Sequence, residues 1–509
     1  DVERSRGLGD VYKRQILLNG NIAVQGSQGV QGGEGAAAAN GTVGTGGNAG
    51  QGGTGGTGGN AGNAGISQVG GSATSTALTF TQSQVNLQTT AIKATAIAGK
   101  GVGSFESSED YEAAGGTANL NNTGTAGSAG TTAVGQNGAV NATTNGGAGG
   151  SGITPTGTIA QTGNGEKAIA AGLVTTNGTL NVVSDAGLTI SADAQEGSAY
   201  VTAKAVVSAN SVNVYQVQND LTITATAVGD QDRTETVSEV EYTYSGSSTS
   251  TQATAVGLEL TGGSMVAEVG GTVTIEASTD WAGSNTATGI KAAEGAVIAV
   301  HSAGAMDISA EVVGTTAEGT TLRKGANGIL ANGSTMYYAA DNAAITVSGG
   351  KHADDHAADI EGGVTTFDAG TGTVTFNGTA DFTNGTLNLK SDTDVQTKEN
   401  SLGSLDISGT AMNLTDNLAA LTVENKTTLA GSTVYFYDEN NQAEKYNTAD
   451  YRTITTNDLD ASDTNELFMR TNANGVYGQS AGNDKITSTN TVTGSGTYTG
   501  SYTHLRAHE

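Results

Sequence analysis

The chain has 509 residues, with 78 Gly, one Pro, no Cys and only 14% charged residues. Hydrophobic residues make up 36%, many of them Ala, which excludes a compact core of ordinary depth. A formal net charge of −28 makes nucleic acid and acidic membrane surfaces poor partners, and without Cys there is neither a disulfide framework nor a cysteine metal site.

Both ends look foreign to the rest. Residues 1–15 hold four basic residues in a basic-poor protein, and residues 501–509 hold two of its five histidines. Both segments resemble translated sequencing-library adapter. On that reading the natural chain starts near Ile16 and is open at both ends, so a missing leader or membrane anchor carries no meaning. From Gly26 to Gly65, Gly stands at every third position, with Ala38 the one interruption. That period suits either an extended three-residue helix or a flexible spacer. A looser Gly/Asn/Ala segment covers 115–152. Between the two lies an ordered-looking stretch with Leu78, Phe80, Val85, Leu87, Ile92 and Ile97, able to supply early strands.

From Asn177 onward short strands recur, punctuated by Asn-Gly, Gly-Gly or Asp turns. Examples are Asn177-Gly-Thr-Leu-Asn-Val182, Gly271-Thr-Val-Thr-Ile275, Gly372-Thr-Val-Thr-Phe376 and Gly385-Thr-Leu-Asn-Leu389. Each alternates an apolar residue with Thr, Asn or Asp, the period of a strand with one buried face. One such strand cannot bury its face, but stacked copies can, so the pattern predicts an all-β solenoid, a parallel β-helix. Val182, Ile190, Val201, Val212, Ile223, Ile275, Ile298, Ile308, Ile345, Phe376, Leu389, Ile407 and Val423 would line its interior. Coils of roughly twenty residues would turn 156–428 into a rod of about thirteen or fourteen coils, on the order of 60 Å long. Residues 230–250 and 351–361 read as loops bulging from it. The expected organisation is thus a Gly-rich region at 16–155, a rod at 156–428 and a cap at 429–500. The last of these is where aromatics and long aliphatics concentrate.

Phe468-Met-Arg-Thr-Asn472, Asn483-Asp-Lys-Ile486 and Thr493-Gly-Ser-Gly496 follow an aromatic strand, Val434-Tyr-Phe-Tyr437. This order resembles the C-terminal junction of bacterial autotransporter passengers of the pertactin and diffuse-adhesin kind. The resemblance covers about seventy residues and is general over the preceding rod. It implies a right-handed parallel β-helix secreted through an outer-membrane β-barrel. It also implies a folding cap built on Phe468, Met469, Arg470, Asp484 and Ile486. It supplies no ligand site.

Chemistry-bearing clusters are few. His352-Ala-Asp-Asp-His356 is the densest set of potential metal ligands, yet it reads as a solvated loop between coils, and no metal or cofactor is expected. Gly478-Gln-Ser-Ala-Gly482 fits a nucleophile pattern, a chance match in so Gly-rich a chain. Asp354-Asp355 is the one adjacent Asp pair, and the other acids are scattered, so no catalytic residue is assigned. The Asn-Gly-Thr triplets at Asn40, Asn177, Asn377 and Asn384 read as turns in which Gly tolerates positive φ. Tyr242, Tyr244, Tyr337 and Tyr338 are candidate ligand residues on loops, suited to stacking on sugars. The expectation is therefore a non-enzymatic passenger on the surface of a Gram-negative-type bacterium, acting in adhesion, autoaggregation or biofilm attachment. Its partners would be host-cell or matrix molecules, glycans among them, and further copies of itself. A polysaccharide-active enzyme and a ligand-free structural fibre are the alternatives.

Overall fold

The computed structural model describes residues 15–19, 22–25, 72–98, 103–105, 159–161, 166–230, 233–237, 240–244, 251–280, 282–313, 323–352, 354–399, 401–437, 451–470, 484–493 and 497–499. Every element among them is a strand, and 32 strands join one sheet that winds into a parallel β-helix. Each coil has three faces. Lys167–Thr176, Thr179–Ser184 and Leu188–Gly197 make the first, second and third face of one coil. In the next, Tyr200–Val217 runs through the first two faces and Leu221–Gly229 forms the third.

The corner between the first and second faces is the device that repeats. Residues with positive φ turn the chain there in coil after coil: Gln82, Asn177, Asn210, the pair Gly262 and Gly263, Gly295, Gly333, the pair Gly362 and Gly363, Asn384, Gly409, Gly431 and Asp463. Such a residue bends the strand while its amide keeps the ladder to the next coil. Asn177 N–H donates to Ala209 O at 2.9 Å, and Asn384 N–H to Ser408 O at 2.8 Å. Asn and Gly are the residues that reach this conformation at least cost. Of the four Asn-Gly-Thr triplets, the one at Asn40 lies outside the described residues; at 177 and 384 it is Asn, not the following Gly, that carries the positive φ, and at 377 it is Gly378.

Inside, like residues stack in register. Ile92, Ile190, Ile223, Ile275, Ile308, Val347, Phe376, Val395 and Val423 form one column of the third face, all buried. Each such side chain contributes about 1.5–3 kcal/mol on burial. The opposing first face makes room for that column with glycine. A Cβ at Gly257, Gly289 or Gly328 would sit 2.9–3.2 Å from a methyl of Ile275, Ile308 or Val347. The inward Ala residues of the first face, such as Ala203, Ala255 and Ala287, fill the same narrow space. The Gly and Ala content is therefore the thinness of the core written into composition. Where coils shorten, aromatics fill the interior: Phe367, Phe376 and Phe382 come from the three faces and meet edge to face at 5.1 and 6.1 Å.

Several expectations are corrected by the register. Coils are longer and less regular than roughly twenty residues: bonded partners in neighbouring coils are 33, 52, 29, 22 or 25 residues apart. The segment 156–428 therefore contains fewer coils than expected. The helix also begins before 156, because Ala73–Thr81 and Gln84–Gln88 pair with Lys167–Thr176 and Thr179–Ser184. At the other end, the boundary at 428 falls inside one strand, Ala420–Ala430, and the coils continue through Lys485–Thr493. Val212 faces outward, 45% exposed, because the corner at Asn210 sets the phase so that Asn213 and Tyr215 point in. Residues 351–361 are only partly loop, since His356–Glu361 is a first-face strand.

The strands on either side of 26–72, 98–166, 230–251 and 313–323 are a third face before and a first face after, whereas those on either side of 438–450 and 471–483 are a second face before and a third face after. The first four of these intervals fall at one corner, which lies opposite the second face. Two of them contribute Gly103–Phe105, Ile159–Gln161, Arg233–Val237 and Val240–Tyr244 to a separate four-stranded sheet. The Gly-x-x run, the Gly/Asn/Ala segment, residues 1–14 and 501–509 of the suspected adapter ends, and Gly478–Gly482 lie outside the described residues.

If the first corner sets the fold, Asn384→Gly leaves stability nearly unchanged, whereas Asn384→Val costs about 1–2 kcal/mol. The denaturant midpoint at unchanged slope reads the difference, and equal midpoints for the two variants would refute the role given to this corner.

Candidate functional site

Strand alternation presents the outward side chains of the second face as rows that run along the rod. One row is Gln84, Thr179, Val212, Ser264, Val297, Thr335, Val364, Thr386, Ala411 and Thr433. The next, two residues on in each strand, is Asn86, Asn181, Val214, Val266, Ala299, Tyr337, Thr366, Asn388, Asn413 and Tyr435. Asn413 Nδ2 donates to Asn388 Oδ1 at 2.7 Å, and Asn388 Nδ2 to Thr366 Oγ1 at 2.9 Å, so these amides are held in fixed orientation. Tyr337 is 40% exposed, and Tyr435 stacks on Phe468 at 4.7 Å.

A third outward row is charged: Gln216, Glu268, His301 and, two coils on, Asp368. His301 bridges coils, with Nδ1 2.9 Å from Glu268 Oε2 and Nε2 3.0 Å from Asp341 Oδ1. The hydrogen bond to Asp341 raises the imidazole above its ordinary value against the opposing effect of burial, and the hydrogen bond to Glu268 adds to the rise. Glu268 and His301 also edge an open groove of about 460 Å³ with Asp185, Gln216, Gln218 and Val269.

On the first face Asp359, Asp381 and Asp406 stand in register on three successive coils. Burial, then repulsion from Asp359 and Asp406, pushes the Asp381 carboxyl up. Asp406 Oδ1 is buried and has no hydrogen-bond partner among the described residues. In sequence these acids look scattered. Their alignment was hidden because the intervening coils have unequal lengths. Elsewhere on this face the buried Glu259 bridges Lys204 and Lys291, and the two ammonium groups together outweigh its burial and lower its carboxyl.

The C-terminal coils are closed by a buried ionic cluster. Asp484 accepts four hydrogen bonds: from Arg470 N–H at 2.6 Å, Arg470 Nε and Nη2 at 3.0 Å each, and Arg452 N–H at 2.8 Å. The Arg452 side chain, 1% exposed, clamps three carbonyls, donating to Leu418 O, Phe436 O and Asp416 O at 2.7–3.1 Å. Arg452 follows residues 438–450, and Arg470 and Asp484 stand on either side of 471–483, so the cluster joins described residues that flank both segments. Sequence reasoning did not single out Arg452, because a lone Arg among polar residues gives no signal.

The residues singled out from sequence fall as follows. Phe468 stacks on Tyr435, and Met469 and Ile486 are half-buried against the core, so the five cap residues gather around one closure. Tyr337 and Tyr338 lie on the strand Thr335–Ala340 rather than on a loop. Tyr338 is wholly buried, stacked on Phe367 at 5.4 Å, which takes it out of any ligand surface. Tyr242 and Tyr244 are on the strand Val240–Tyr244 of the separate sheet. Asp355 is buried, and its two oxygens accept the amides of Ala326 and His352, while His352 and Asp354 are exposed and His356 begins a strand. Among the described residues no three His, Asp or Glu gather as an ion site. Comparison with protein-family models, with curated proteins and with solved structures finds no match to this chain.

Two expectations follow from these clusters. Arg470→Met strands a buried Asp484 and should lower stability by about 3–5 kcal/mol, with proteolysis starting in the C-terminal coils; an unchanged midpoint would contradict the closure. Because the His301 value is raised on folding, its stabilisation is complete below the unfolded value and disappears as pH rises through the folded one. The melting advantage of wild type over His301→Gln should therefore be present at mildly acidic pH and vanish at alkaline pH. It should not exceed about 1 kcal/mol, since all three groups are solvent-exposed; a constant difference across that range would refute the bridge.

Proposed function

We propose that this chain is the surface-exposed rod of a secreted bacterial adhesin, of the autotransporter passenger kind, acting in adhesion, autoaggregation or biofilm attachment. The observation that carries the reading is the division of the rod. Four of the long intervals between faces fall at one corner, and the opposite face is a sheet surface crossing ten strands in register. A surface of that form suits many weak contacts, which multivalency multiplies. The net charge of −28 keeps rods soluble and apart from anionic polymers. The passenger resemblance rests on Phe468-Met-Arg-Thr-Asn472 and Asn483-Asp-Lys-Ile486, and two of those residues, Arg470 and Asp484, form the buried ion pair. On this reading the C-terminal coils nucleate folding, the partners are host-cell or matrix molecules, and contact with a membrane is made through a β-barrel.

A second reading, a polysaccharide-active enzyme, draws support from the in-register Asp359, Asp381 and Asp406, since glycoside hydrolysis uses paired carboxylates of different pKa. The two readings separate in one preparation. Beads coated with the purified chain should be retained on host-cell layers or matrix several-fold over uncoated beads, with no new reducing ends formed in polysaccharide added to the chain. Release of reducing ends that Asp381→Asn abolishes would establish the enzyme instead. Failure of coated beads to adhere to cells, matrix or each other would remove the adhesive reading.

A further inference from the structure

We infer that the first two outward rows of the second face form a binding strip for an uncharged polysaccharide chain laid along the rod axis. The inference deepens the adhesive reading above and rests on it. The chain carries 21 Lys and Arg and 49 Asp and Glu. Yet the twenty register positions of these two rows, from Gln84 and Asn86 to Thr433 and Tyr435, include none of them. Charges return along one side of this surface and at one end of it. Glu268, His301 and Asp368 occupy the neighbouring row, and Glu466 continues the first row in the next coil. At about 4.8 Å per strand the strip is on the order of 45 Å long.

The chemistry along it is that of a sugar. Thr335, Thr386, Asn388 and Asn413 supply hydroxyl and amide groups that both donate and accept, with the two amides locked to one another. Tyr337 presents an exposed ring in the middle, and Tyr435 with its stacked Phe468 an aromatic step at one end. A pyranose ring has an apolar face for stacking and an equatorial rim of hydroxyls, and it needs both kinds of contact.

Charge selects the occupant. An anionic polymer is repelled by a chain of −28, and so is a second copy of the rod. A cationic protein would be drawn to the acidic rows beside the strip rather than to the strip. A neutral glycan meets neither penalty, and the strip leaves no charge unpaired beneath it.

The test uses the full chain in affinity electrophoresis through gels containing a soluble mixed-linkage β-glucan, a galactomannan, heparin or polygalacturonate. At least one neutral polymer should retard it, and neither anionic polymer should. Tyr337→Ala and Asn388→Ala should each weaken retardation about tenfold, and Glu276→Gln, exposed on the third face, should leave it unchanged. Because no ion pair is involved, retardation should vary less than about twofold between low and high salt. Retardation by the anionic polymers alone, strong salt dependence, or indifference to both strip substitutions in folded protein would overturn the inference. So would a concentration-dependent dimer that Tyr337→Ala dissociates, with no neutral polymer bound. If no neutral polymer binds while coated beads still adhere to cells, the strip falls and the adhesive reading stands. If a neutral polymer binds but beads adhere to nothing, the adhesive reading falls and the strip stands.

Discussion

A left-handed turn at the first corner, repeated in coil after coil, holds this molecule in shape. Every coil must turn from its first face to its second without losing the hydrogen bonds to its neighbours. A residue with φ near +50 to +80° does both at once. Because that residue takes the same place in successive coils, the strands after it start in the same phase. The inward rows then stack like on like, and the outward rows form straight lines. The Ile column of the third face, the Gly and Ala that make space for it, and the charge-free strip of the second face all follow from that shared phase.

The same constraint separates stability from recognition. Inward positions are fixed by a thin interior in which each coil touches only its neighbours. The ends of such a stack need their own closure, and near the C-terminus it is ionic: Asp484 between the amides and guanidinium of two buried arginines. Outward positions are free of packing and vary in chemistry from face to face. The first face carries three stacked carboxylates and, apart from them, Glu259 bridged by Lys204 and Lys291, and the second is neutral across two rows that cross ten strands in register.

The solenoid was legible in sequence because alternation and turn chemistry are local. Gly271-Thr-Val-Thr-Ile275 names its inward and outward residues without reference to any other coil. A motif singled out Arg470 and Asp484, which the fold joins in one buried ion pair. What could not be read was anything that depends on which coil lies beside which. Coil lengths ranging from 19 to 52 residues hid the alignment of Asp359 with Asp381 and Asp406. They hid the neutral strip in the same way, because Val297, Tyr337 and Asn388 are unremarkable until register places them in neighbouring rows. Val212 was misassigned by one position, and Tyr338 was taken for a surface residue, because a strand's phase is set at its corner and not by its composition.

Register is therefore the claim to measure, and a chain without cysteine is well suited to it. Spin labels introduced as Val212→Cys and Thr386→Cys would report one distance across residues that are far apart in sequence. The two positions belong to the same outward row, with Ser264, Val297, Thr335 and Val364 between them. Stacking at about 4.8 Å per coil predicts a narrow distribution centred near 24 Å. A broad distribution, or a narrow one displaced by more than about one coil spacing, would break the row and with it the strip.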